Sequence, residues 1–423
     1  MVTLEEQKAL GREVAAYFTR NPGIEFVGFA GVGRHGGALI LEEKDDGGEL
    51  RKLVVKYSLG DLTGDPDSNA DEDLRNEYHW LEKLRGAEHI IRLVYFADCS
   101  LMIPGTSDGE KTYEASVAKA AERDEALRSQ VEGDGDGTKV EFSRARKCPT
   151  FALEYLPNGP LSETILKLEA TKKLIPNRIL WRIWLCFVRQ CVAMAFPPMI
   201  PMSEEGGGRS IREQIISDQP FCTLTQNSAH LENWLWGAEP PRNIPDEDHD
   251  PGIPVVKVSY VLLIDFGRGR LEDLKEYVDD EMDDLQECGS RRNLWHAALA
   301  MMEMCLPLME PSELALCDSY LYPYSKGGQT FEVGTFAPMV LRFATTMDLE
   351  LRDILVRCLA DLPGHVPPLR EVLEEAEAAV ANRGLDENPE LVALNIHEDD
   401  RYLRRWVQSY LYDAFWAGDE IEQ

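Results

Sequence analysis

The 423-residue chain predicts an α+β fold of two lobes, a small β-rich one followed by a larger helical one. Three observations carry this. Short apolar runs with glycine-rich turns between them crowd the first part of the chain, a strand pattern. After residue 156 the apolar spacing turns helical. Strands that come first and helices that come later favour segregated layers over an alternating β/α sheet. The length alone allows two to three domain-sized units.

The elements follow in order. Residues 3–20 carry helical periodicity through Leu4, Leu10, Val14 and Phe18, and Asn21-Pro22-Gly23 stops that helix. FVGFAGVGRHGGALILEE then gives strand, glycine loop and strand; Asp45–Gly48 is a turn, and LVVKYS is a third strand. Residues 60–73 form an acidic loop, Leu74–Leu84 a helix and Ile90–Asp98 a strand. Residues 103–147 are charged, with a solvated helix over Tyr113–Val131 and a flexible GDGDG stretch. Phe151–Leu156 is a strand ended by Pro157-Asn158-Gly159, and Leu180–Phe196 is a long apolar helix stopped by two prolines. Residues 201–220 are a polar, glycine-rich insertion; WLWG and VSYVLLIDFG are short strands around a proline-rich loop. Helices are expected at 293–306, 348–360, 369–382 and 399–416.

A formal net charge of −31 and a pI near 4.6 argue against nucleic acid as a partner and against docking on anionic membranes. The nine cysteines are an odd number with no Cys-x-x-Cys pair, as expected of reduced thiols in the cytoplasm or nucleus. MVTLEEQKALGREV lacks the basic and apolar regions of a signal peptide. The most apolar run, Ile179–Phe196, is interrupted by Arg182, Arg189 and Gln190, so no membrane span is expected.

The chemistry-bearing residues are ordered along the chain. Gly31, Gly33 and Gly36 lie between two strands, where the missing Cβ lets backbone N–H groups approach phosphate. Lys56 stands inside an apolar strand, and a buried ammonium needs an anion. Glu77 on the next helix is the candidate partner; it is equally a surface acid on a polar helix face. Asp265 ends the run VLLI before Phe266 and Gly267, a placement suited to holding Mg²⁺. Asn233, before WLWG, supplies a second oxygen.

In order and spacing these motifs resemble the eukaryotic-type protein kinases over roughly residues 24–383, and most of all the divergent kinase-like proteins of filamentous fungi. The resemblance implies a kinase-like arrangement: an N-terminal lobe over 1–152 with an acidic insertion at 101–147, a hinge at 153–158, a helical lobe over 159–383 and an amphipathic extension over 384–423. It implies ATP and Mg²⁺ as ligands. Lys56 would contact the phosphates with Glu77 positioning it, and Asn233 and Asp265 would hold the metal. Glu154 and Leu156 would form the adenine hinge, and Leu153 would gate the back pocket. Ala38 and Val54 would cover the adenine, with Leu235 as its floor; all three also suit an ordinary core.

The departures bear on activity. In QNSAHLEN, Ser228 stands where the family has its catalytic aspartate, and a serine accepts no proton near neutral pH. Loss of a positioned base costs on the order of 10²–10⁴-fold. His230 takes the place of a phosphate-contacting lysine. It suits a γ-phosphate contact, a substitute base or a plain loop histidine. No Ala-Pro-Glu motif precedes Asn293, which itself replaces an aspartate, and Val366 replaces an arginine. The resemblance therefore implies an ATP-binding protein of Ser/Thr-kinase ancestry with impaired phosphotransfer. The alternatives are an unconventional Ser/Thr or small-molecule phosphotransferase and an interaction scaffold that binds no nucleotide. The protein partner or substrate is not readable. Finally, Leu403, Trp406, Val407, Tyr410, Leu411, Ala414 and Phe415 form one apolar stripe, expected to dock on the helical lobe with Arg401, Arg404 and Arg405 pairing acidic residues there.

Overall fold

The computed structural model describes residues 3–33, 36–44, 48, 50–60, 70–94, 149–198, 211–217, 219, 221–228, 230–237, 261–266, 268–271, 287–310, 312–382 and 388–412. Residues 45–47 of the expected turn at 45–48, the helix at 113–131, the insertion at 101–147, residues 201–210 of the insertion at 201–220, the acidic stretch 272–286 and the tail from 413 lie outside them. The fold is mixed α+β and divides into two compact units. One comprises residues 1–85, 91–155 and 266–268; the other comprises 86–90, 156–265 and 269–423.

In the first unit, α1 (Leu4–Phe18) opens with a capping box in which Thr3 and Glu6 satisfy each other's backbone N–H groups. Strands β1 (Ile24–Val32), β2 (Gly36–Lys44), β3 (Leu50–Ser58), β4 (Leu93–Val94) and β5 (Thr150–Glu154) form an antiparallel sheet in the order β1-β2-β3-β5-β4. Burial alternates along β2 and β3 with the period of two that a sheet dictates. Leu39, Leu41, Leu53, Val55 and Tyr57 join Leu10, Val14 and Phe18 of α1 in one core. The register pairs Ala38 with Lys56 and Val54 with Leu153, so Ala38, Val54 and Lys56 share the opposite face. Helix α2 (Ala70–Lys83) begins four residues earlier than the apolar spacing predicts and buries Leu74, Glu77, Tyr78 and Leu81. The expected strand at 90–98 is paired only at Leu93–Val94 among the described residues.

The second unit holds helices α3 (Leu161–Thr171), α4 (Asn177–Ala195), α5 (Cys288–Cys305), α6 (Met339–Arg342), α7 (Leu349–Cys358), α8 (Leu369–Asn382), α9 (Pro389–Ala393) and α10 (Asp400–Val407). Small antiparallel pairs join β6 (Leu224–Thr225) to β9 (Arg270–Leu271), β7 (Trp234–Trp236) to β8 (Val261–Leu263), and β10 (Tyr320–Lys326) to β11 (Gln329–Thr335). Helix α4 is buried along nearly its whole length. Its polar residues have partners: Gln190 accepts the Trp234 indole N–H at 2.6 Å, and Arg189 pairs with Glu377 at 3.2 Å. Trp236 likewise donates to Thr164 on α3 at 2.7 Å. Among the described residues no helix is long and apolar enough to cross a membrane.

The C-terminal stripe docks within the second unit. Leu403, Trp406, Val407 and Leu411 are buried, and the Trp406 indole donates to Leu174 O at 3.2 Å. The α-helix is shorter than the stripe predicts, giving way at Gln408 to a π-helical turn. Arg401, Arg404 and Arg405 are exposed, and one ion pair at this contact runs from Arg178 of α4 to Asp400 at 3.1 Å. A further link is the buried Glu398, whose carboxylate accepts the N–H groups of Asn177 and Arg178 at 2.7 and 3.1 Å and so caps α4. Glu398→Ala removes two charge-assisted bonds and is expected to lower stability by about 1.5–3 kcal/mol. Arg401→Ala, on the exposed face, should stay within about 0.5 kcal/mol of the parent in urea denaturation.

Candidate functional site

The residues singled out from sequence fall in both units. In the first, Lys56 Nζ lies 2.7 and 2.6 Å from the two carboxylate oxygens of Glu77. The Glu77 side chain is 3% exposed and that of Lys56 22%, so the glutamate is no surface acid. Helix periodicity explains the arrangement: Glu77 shares a face with Leu74, Tyr78 and Leu81, and Tyr78 meets Phe151 edge-on across a 5.9 Å centroid distance. The paired carboxylate offsets the cost of holding Lys56 inside the sheet. Ala38 and Val54 are half-buried beside it, outside the closed core under α1.

The three loop glycines divide. The space around a Cβ at Gly31 is open, and at Gly33 the nearest atom would be 3.7 Å away. At Gly36 a Cβ would lie 2.4 Å from Tyr57 O, so strand packing alone demands that glycine. Leu153 is buried and paired with Leu93 and Val54. The Glu154 carboxylate accepts the Arg92 N–H at 2.9 Å and its guanidinium at 2.9 and 2.6 Å, a structural task for the side chain.

In the second unit the loop from Thr225 to Asn233 is pinned from several sides. Asn293 on α5 donates to Leu224 O at 2.7 Å and accepts Gln226 N–H at 3.2 Å. The Gln226 amide donates to Asp265 O at 2.7 Å and accepts the Ser228 N–H at 2.8 Å. This side chain thus ties the Ser228 backbone to that of Asp265. Asn227 and Asp265 are both left-handed, at φ 57° and 64°. Such strain costs about 1–3 kcal/mol per residue and persists only where surrounding bonds over-determine the backbone, as here.

Asn233 is the hub. Its amide nitrogen donates to Ser228 O at 2.7 Å, with Ser228 Oγ at 3.2 Å and an Asp265 carboxylate oxygen at 3.3 Å. With the nitrogen so engaged, the amide oxygen is the atom left to serve as a ligand beside the Asp265 carboxylate. An amide and a carboxylate oxygen are the hard donors that Mg²⁺ prefers. Ser228 Oγ is also 3.5 Å from His230 Nε2, and the His230 ring is 54% exposed. Leu235 is half-buried on β7, and Leu156 is buried. Gly267 and Ala229 lie outside the described residues.

Three features escaped the sequence reading. Gln226 and Asn293 act as loop anchors through amides that both donate and accept. Arg291 on α5 donates to the carbonyls of Pro363, Gly364 and Val366 at 3.2, 2.8 and 2.8 Å, with Glu287 3.5 Å from its guanidinium. Helix α5 begins at Cys288, five residues before the expected start, and so carries Arg291.

The third is a buried pair, His89 and Glu213. Residues 211–217, expected to be part of a polar insertion, run back onto residues 86–90 through Ile211 N–H to Gly86 O at 2.6 Å. Glu213 then accepts the His89 N–H at 2.7 Å and lies 2.8 Å from its Nδ1. Burial alone would lower the histidine's pKa, but the adjacent carboxylate and the Cys186 thiol outweigh it and push it up to about 10. Burial opposes the charge of Glu213 as well, and His89 pulls its pKa below the ordinary value. The partners are 124 residues apart, which explains why no local pattern revealed them. Compared with known proteins, the chain matches no protein-family model and no curated protein.

Proposed function

We propose that this chain has a two-lobed, protein-kinase-like fold that binds ATP with Mg²⁺ and has impaired phosphotransfer, acting inside the cell, in cytoplasm or nucleus, as a nucleotide-dependent switch or scaffold. The observation that carries the reading is the Lys56–Glu77 pair, a lysine fixed on the half-exposed sheet face by a buried carboxylate. Such a lysine is set to meet phosphate oxygens with little further ordering. Asn233 and Asp265 fit a magnesium ion by donor type, and the metal would neutralise phosphate charge. Glu77 holds Lys56 in place, Gln226 fixes the Asp265 backbone, and the Asn233 nitrogen is spent on Ser228 O. Ser228 accepts no proton, which is the reason for the impairment.

One observation favours a second reading, a slow phosphotransferase: His230 Nε2 stands 3.5 Å from Ser228 Oγ and 3.2 Å from the Asn233 amide, close to where a base is wanted. His230→Ala would then lower the residual transfer rate.

The binding test is thermal denaturation of the intact chain with ATP and MgCl₂. Ligand at about 100 times its Kd adds roughly 2.7 kcal/mol of stability. Lys56→Met is expected to lose most of that gain, and Asp265→Asn its dependence on magnesium. A wild-type chain with an unchanged melting temperature at millimolar ATP and Mg²⁺ would sink nucleotide binding and leave the scaffold.

A further inference from the structure

The outer face of α10 and the turn after it border a cavity of about 490 Å³, a size within the range of small-molecule sites. Its walls carry two kinds of group. Arg401 and Arg405 supply positive charge, and Tyr402, Trp406 and Tyr410 supply rings. The Trp406 and Tyr410 rings lie 5.0 Å apart at an interplanar angle of 30°, and His397 meets Tyr402 edge-on at 5.5 Å. Tyr410 stands in the π-helical turn Gln408–Tyr412, an irregularity that is rare and concentrated at functional sites.

The arginines sit where the helix alone would not want them. They are four residues apart on α10, hence neighbours on one face, and like charges at that spacing destabilise a helix. The chain has 75 acidic residues against 44 lysines and arginines, so an exposed arginine has many acids to pair with. Among the described residues neither Arg401 nor Arg405 pairs with a carboxylate. Asp400 is taken by Arg178. Asp399, the one carboxylate bordering the cavity, accepts the backbone N–H groups of Arg401 and Tyr402 at 3.0 Å each. Two guanidiniums with donors to spare match the charge and the oxygens of a phosphate dianion, which arginine binds bidentately. The rings beside them offer a flat apolar face to a planar group attached to that phosphate.

We propose that this cavity binds a phosphate monoester of an aromatic compound, with the phosphate held by Arg401 and Arg405 and the ring against Trp406 and Tyr410.

The test titrates the intact chain with phenyl phosphate in magnesium-free, low-salt buffer by isothermal calorimetry. A Kd of about 1 mM or tighter is expected for a ligand of this size. Inorganic phosphate, which brings no ring, should bind at least about tenfold more weakly. Arg401→Gln and Arg405→Gln should each weaken phenyl phosphate binding about tenfold, the loss of a charge-assisted contact. Arg404→Gln, equally exposed but not bordering the cavity, should change it by less than about twofold. All three are exposed positions, and circular dichroism checks that each variant is folded. Both cavity arginines lie in the second unit and Lys56 in the first, so their variants separate this site from the proposed nucleotide site. No heat of binding up to about 10 mM phenyl phosphate overturns the proposal. So does an equal loss in all three variants, which would mean an adventitious ion only, on a diffusely positive surface. Inorganic phosphate binding as tightly as phenyl phosphate overturns it too, since the rings would then take no part.

Discussion

Glu213→Gln is expected to lower unfolding free energy by about 3–5 kcal/mol, the cost typical of removing one member of a buried ion pair. Glutamine keeps the shape and one acceptor for the His89 N–H, but it removes the carboxylate charge held 2.8 Å from the ring, where both side chains are at most 1% exposed. The pH dependence separates this from a packing defect. The folded pKa of His89 is about 10, above its ordinary 6.5, so its contribution is complete below about pH 6.5 and is lost as pH rises through 10. The folded pKa of Glu213 is depressed, so its share is present above about pH 4.5 and is lost as pH falls through the folded value. The stability gap between wild type and variant in urea should therefore be widest near pH 5–6.5 and shrink toward pH 10. A gap independent of pH would mean that the pair is not ionised.

Ser228→Asp is the second large effect. If the missing base is the main defect, phosphate transfer from ATP to a basic carrier protein should rise by about 10²–10⁴-fold. The loop is prepared for the exchange, since Gln226 and Asn233 hold the backbone N–H and carbonyl of position 228 and Asn293 holds the backbone at 224 and 226, none of them through the Ser228 side chain alone. The new carboxylate would stand near the amide that already meets Asp265, so its charge would face a donor. Retained ATP-induced stabilisation with no gain in transfer would shift the defect to the acidic stretch before α5.

What the sequence made legible depended on contrast with its neighbours. Lys56 stood out as a charge inside an apolar strand, and Asp265 as a carboxylate closing one. The sheet's alternation through Leu39, Leu41, Leu53 and Val55 was readable for the same reason. Polar residues in polar surroundings gave no contrast: Gln226, Arg291 and Glu213 are buried anchors that resemble loop residues. The β10–β11 hairpin was legible in principle, because Gly327-Gly328 separates two strand-like runs and both glycines have positive φ. Helix α3 carries Leu161, Ile165 and Leu168 at helical spacing, but it opens one residue after the Pro157-Asn158-Gly159 turn, whose breaker signal masks a helix start.

The cap on α4 also sets a schedule. Glu398 leaves the ribosome 221 residues after Asn177. At typical elongation rates of about 5–20 residues per second, that delay is roughly 10–45 s. Throughout it, the most buried helix of the second unit has formed its chain but lacks the carboxylate that closes its first turn, and the apolar surface meant for Trp406 and Leu403 is uncovered. Assembly of this unit therefore cannot be completed before Glu398 emerges, and in that interval the nascent chain is an open target for chaperones.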